Sequence, residues 1–119
     1  MAVIALNSFK TIRVGITTNN VGIYTCPIGV ASIVILSQVV NVSTGAASSA
    51  YTVTATHSRS SETPSNYIFA NSVSIPPNDS FNLVSDGRLA LQTGDVIQIR
   101  GNVNGVLNLM LSVLETAKQ

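Results

Sequence analysis

The chain has 119 residues, of which 45% are hydrophobic and only 9% charged, with a formal net charge of +1. That length suits one domain around one buried core and is too short for two. The six basic residues, Lys10, Arg13, Arg59, Arg88, Arg100 and Lys118, are scattered, which excludes the basic footprint of a nucleic-acid binder.

A typical soluble domain carries about 25% charged residues. This surface, rich in Ser, Thr and Asn, is polar but weakly ionised, so like copies repel one another little. The composition reads as a subunit of an assembly, with copies of itself as expected partners. The opening MAVIALNSFK lacks both the basic start and the cleavage region of a signal peptide, and synthesis in a cytoplasm is expected.

The apolar residues are mostly Val and Ile and alternate with period two, the signature of strands and not of helices. From Lys10 to Ile16, Ile12, Val14 and Ile16 share one side and Thr11, Arg13 and Gly15 the other. Residues 1–16 are expected to form an amino-terminal arm or an edge strand.

Val30 to Ser43 is apolar on both sides, with Val34, Leu36, Val40 and Val42 against Ile33, Ile35 and Val39. This is the pattern of a central strand covered on both faces. The run Ile28 to Val42 is shorter than the roughly 20 residues of a helical membrane span, so no membrane partner is expected.

From Tyr51 the alternation is regular: Tyr51, Val53, Ala55 and His57 against Thr52, Thr54 and Thr56, a threonine stripe expected on a solvent or partner face. Ser58 to Asn66, broken by Pro64, reads as an exposed loop. The candidate interface residues are therefore Thr52, Thr54, Thr56, Arg59, Glu62 and Tyr67.

Further strands are expected at Tyr67 to Ile75, Ser80 to Val84, Arg88 to Leu91, Asp95 to Arg100 and Val106 to Leu114, followed by a polar tail from Glu115 to Gln119. Pro76-Pro77-Asn78-Asp79 and Asp86-Gly87 separate them as turns, and Gly94-Asp95 and Gly101-Asn102 supply positive-φ positions. Many short strands between turns predict an all-β fold, an antiparallel β-sandwich of jelly-roll type with about eight strands.

Catalytic chemistry has few residues to draw on. His57 is the single histidine, read as a packed or edge residue, and Cys26 the single cysteine, read as a small buried apolar group. No metal motif and no cofactor loop is present. Of the acids Glu62, Asp79, Asp86, Asp95 and Glu115, three sit in turns where a carboxylate bonds the local backbone. The expectation is a protein without enzymatic activity. With no Trp and with Phe9, Phe69 and Phe81 assigned to the core, the aromatic platforms of a glycan binder are sparse.

The segment Tyr24-Thr-Cys-Pro27-Ile-Gly29 leads into the apolar run Ser32-Ile-Val-Ile-Leu and the closing Asn41. The second half of the chain carries Ile75-Pro76, Asp79-Ser80, Leu83, Gly87-Arg88-Leu89-Ala90-Leu91 and Gly94-Asp95-Val96-Ile97. Together they resemble a family of small tailed-phage virion proteins, of the kind found in cyanophages. The resemblance runs from Tyr24 to Leu114, and its motifs are turns and strands, which specify a fold better than a function. It implies a virion location and a structural role, as a capsid decoration (cement) protein or a neck, tail or baseplate component that contacts other virion proteins. A receptor- or carbohydrate-binding module of a tail fibre is the alternative.

Overall fold

The computed structural model describes residues 7–84 and 88–117. Among these, nine strands follow one another: β1 (Asn7–Gly15), β2 (Val21–Thr25), β3 (Val30–Asn41), β4 (Tyr51–Ser58), β5 (Asn66–Ile75), β6 (Ser80–Asn82), β7 (Leu89–Leu91), β8 (Val96–Gly101) and β9 (Leu107–Ala117). A single 3-10 turn, Gly45–Ala47, lies between β3 and β4.

One sheet has the order β1-β9-β3, with β6 and β7 pairing successive stretches of β3; the other has the order β2-β8-β4-β5. The pairing is nested and antiparallel throughout. β1 meets β9, β2 meets β8, β3 meets β6 and β7, and β4 meets β5. A long hairpin rolled up in this way is a jelly roll, as expected from the sequence.

The core lies between the sheets and follows from the alternation. In β9, Leu107, Leu109, Leu111 and Val113 are buried while Asn108 and Met110 are exposed. They meet Val34, Val39, Val53, Ile97 and Ile99 from both sheets, and each such side chain contributes about 1.5–3 kcal/mol on burial. Where β3 ends, Asn41 is buried with every polar atom bonded. Its Nδ2 donates to the carbonyls of Ser49 and Ile75, both at 2.8 Å, and its Oδ1 accepts from Ser43 N at 3.0 Å.

Several expectations are corrected. β3 has only one covered face, because a two-layer sandwich offers each sheet one inner side. A register shift between Val34 and Leu36 also switches its alternation, so that Val34 and Val39 point inward together and Ile33 and Ile35 point out. Within residues 1–16, the described part is an edge strand of its own sheet, paired with β9 from Asn7 to Gly15. β2 is a strand that pattern reading did not separate from its turn.

The carboxyl-terminal tail is also strand as far as Ala117, because Glu115 is buried and bonded. Phe9 is not in the core but 73% exposed, since it shares parity with Thr11 and Arg13 and not with Ile12 and Val14. Gly94 has the expected positive φ of 88°, whereas Gly101 does not. At Gly101 a Cβ would stand 3.0 Å from Ile16 Cγ2 and 3.2 Å from the Thr52 carbonyl oxygen, so what the position requires is lack of bulk. The Asp86-Gly87 turn lies outside the described residues.

Candidate functional site

The six residues singled out from sequence do not form one face. Thr52, Thr54 and Thr56 lie on the outer side of β4, opposite the core residues Val53 and Ala55, but Thr54 and Thr56 are only 5% and 8% exposed. β4 is an inner strand, and the residues facing Thr54 and Thr56 across it, Arg100, Gln98 and Ile68, are longer and overshadow a short threonine. Thr54 is also occupied, its Oγ1 accepting the Ser72 N–H at 2.9 Å where β5 bulges and Ser72 takes a φ of 49°. The expected threonine face is thus largely closed, leaving Thr52 as its half-buried member.

Arg59, Glu62 and Tyr67 sit instead at one end of the sandwich. Arg59 follows β4 with the parity of His57 and turns inward to Asp95, the first residue before β8. Its Nε donates to Asp95 Oδ1 at 2.9 Å and its Nη2 to Oδ2 at 2.6 Å. His57 Nε2 lies 2.9 Å from Oδ2, and the Gln92 N–H donates to the same oxygen at 2.9 Å. Arg59 Nη1 reaches the exposed Glu62 at 3.2 Å, and the Arg59 N–H donates to Ser65 O at 2.7 Å, which closes the loop.

The guanidinium beside Asp95 holds its carboxyl well below the usual carboxylate range, with Gln92 and His57 adding to the effect and burial opposing it. The same contacts hold Arg59 more firmly charged. Asp95 therefore does more than shape its turn, and Arg59 is an internal clamp. Tyr67, 61% exposed, stands opposite His57 at the rim.

A second buried polar cluster links the two sheets. Tyr24 of β2 donates its hydroxyl hydrogen to Glu115 Oε2 at 2.5 Å, and Ser32 Oγ lies 2.7 Å from the Tyr24 oxygen. Lys10 Nζ reaches Glu115 Oε1 at 3.2 Å. Burial foremost, and then the Glu115 bond, push the Tyr24 phenol above its ordinary value. Cys26 is buried as expected, with Sγ 3.2 Å from the Val30 carbonyl and 3.3 Å from Ser32 Oγ. Among the described residues the two buried carboxylates are divided between the clusters: His57 meets Asp95, while Glu115 bonds Tyr24 and Lys10.

What the sequence pattern missed is the outer face of the β1-β9-β3 sheet. Phe9, Leu114 and Ile33 stand in one row across three strands, and Arg13, Met110 and Gln38 in another. Phe9, Ile33, Ile35, Val42 and Met110 are all exposed. Around Met110 the surface dips into an open depression walled by Arg13, Gln38, Val40, Val42 and Asn108. The available signal was the two-sided apolar character of β3, which a two-layer fold satisfies on one side only. Among the described residues, no helix is long and apolar enough to cross a membrane.

No protein-family profile and no curated protein matches the chain. Two solved structures share its fold. A chain from the acid-stable capsid of Helicobacter pylori bacteriophage KHP30 is 14% identical with a TM-score of 0.54, over 98% of this chain and 92% of that one. A chain from the disulfide-linked pili of Bacillus endospore appendages is 12% identical with a TM-score of 0.50, over 100% of this chain and 98% of that one. At these identities the likeness establishes architecture alone: the protein is a jelly-roll β-sandwich of the kind found in a phage capsid and in a bacterial pilus.

Proposed function

We propose that the protein is a structural subunit of a tailed-phage virion that works by contact, as a capsid decoration (cement) protein or a neck, tail or baseplate component. One observation carries the reading: the β1-β9-β3 sheet leaves Phe9, Ile33, Ile35 and Met110 in water. Exposed apolar residues gathered on one sheet face mark a protein contact site. The weakly ionised surface supports it, since copies packed side by side repel little. The fold shared with a phage capsid chain and a pilus chain is consistent with assembly.

Gold-labelled antibody on intact particles tests the proposal and separates head from tail. Label on the head supports decoration, label on the neck, tail or baseplate supports an accessory role there, and particles without label contradict a virion role. A second reading, a receptor- or carbohydrate-binding module of a tail fibre, is favoured by Tyr67, exposed beside the polar Ser58 to Asn66 loop. Binding to host cells that is lost on Tyr67→Ala supports that reading.

A further inference from the structure

The sandwich has strand edges of very different quality. β6 and β7 are three residues each, β2 is five residues with a register shift at Gly22/Tyr24, and β5 is bulged at two places against β4. Shortness and bulges are how edges are kept from recruiting another strand. β1 has neither: it runs nine residues from Asn7 to Gly15 in unbroken register with β9, and no strand among the described residues pairs its other edge. Its inward-pointing charge, Lys10, is already matched to Glu115.

The ladder identifies which backbone groups are free. Ile16 N–H donates to the Leu107 carbonyl at 2.9 Å, and hydrogen-bonded pairs alternate along an antiparallel ladder. Residues 8, 10, 12 and 14 therefore bond β9, while Asn7, Phe9, Thr11, Arg13 and Gly15 aim their N–H and C=O groups away from the sheet.

We propose that β1 pairs antiparallel with β1 of a second copy, joining two β1-β9-β3 sheets into one continuous sheet about a two-fold axis at Thr11. The residue pattern selects both the occupant and the register. Only one self-pairing overlaps all nine residues. It sets outward-bonding residues opposite one another, Thr11 against Thr11, Phe9 against Arg13 and Asn7 against Gly15. The exposed Phe9 ring then meets the second copy's Arg13 guanidinium on the same outer face, a cation–π contact made twice by symmetry. Sliding one strand by two residues one way places Lys10 opposite Lys10. Sliding it the other way separates Phe9 from Arg13, and a slip of one residue mismatches the bonding groups.

This inference deepens the assembly reading and is tested apart from it. On the axis, the two Thr11 α-carbons stand about 5.5 Å apart, within bridging range for a disulfide. In the full-length chain, Thr11→Cys under mild oxidation is expected to give a disulfide-linked species of twice the mass on non-reducing gels. Thr18→Cys, exposed but off β1, is expected to stay single. Thr11→Pro deletes one outward N–H and no ladder bond, and it is expected to keep the β circular dichroism spectrum while weakening self-association at least tenfold. A wild-type oligomer that survives Thr11→Pro and gives no Thr11→Cys cross-link overturns the β1 pairing and leaves the assembly reading standing. A wild type that is monomeric at every concentration overturns both.

Discussion

Arg59 and Asp95, 36 residues apart in sequence, share two hydrogen bonds at 2.9 and 2.6 Å in the interior of one end of the sandwich. This pair ties the Ser58 to Asn66 loop to the start of β8. Removing the carboxylate leaves Arg59, His57 and the Gln92 N–H without their common acceptor. Asp95→Ala is expected to cost about 3 kcal/mol, at the low end for a broken buried pair because Arg59 is partly exposed and rehydrates. Urea unfolding of variant and wild type gives the number, and a loss under 1 kcal/mol would show that the cluster is not structural.

The two clusters predict opposite pH limits. Asp95 is more acidic folded than unfolded, so its contribution is complete above the unfolded value of about 3.9 and is lost as pH falls through the lower folded value. Tyr24 is less acidic folded than unfolded, so its contribution is complete below about pH 10 and is lost as pH rises towards the folded value. Midpoints of denaturation measured from pH 2 to 11 should fall at both ends. Asp95→Asn should flatten the acid limb and Tyr24→Phe the alkaline limb, each leaving the other in place.

Gly101 is predicted to be intolerant of a methyl group. A Cβ there meets Ile16, Leu107 and the Thr52 backbone oxygen at 3.0 to 3.2 Å, and the backbone atom cannot swing away. Gly101→Ala should lower stability by about 1–3 kcal/mol. Gly15→Ala, where a Cβ meets nothing within 4 Å, should not. Thermal melts of the two variants side by side decide the matter.

Ile35→Ser is predicted to separate stability from assembly. Ile35 lies on the uncovered side of β3, so folding should change by no more than about 0.5 kcal/mol. Association with particles or with other copies should fall, as read by co-sedimentation. An undiminished pellet would remove this face from the contact surface.

The architecture was legible because it rests on alternation. Leu107, Leu109, Leu111 and Val113 announce an inner face whatever their neighbours do, and the Pro- and Gly-bearing turns punctuate the strands. The site was not legible in the same way. The β3 bulge reverses parity after Val34, which no period-two reading anticipates. Asp95 looks like any turn acid until folding delivers His57 from β4 and Arg59 from just beyond its end, and Glu115 looks like tail until Tyr24 reaches it. Thr54 and Thr56 alternate outward as read, but outward on an inner strand is not the same as open to a partner.

Whether this sandwich functions by joining others through surfaces it leaves bare is decided by sedimentation velocity of the full-length protein over a wide concentration range. Species at multiples of the 12.4 kDa chain mass are expected, growing with concentration and shrinking in Thr11→Pro or Ile35→Ser. A lone 12.4 kDa boundary at every concentration, unchanged by either substitution, would contradict it.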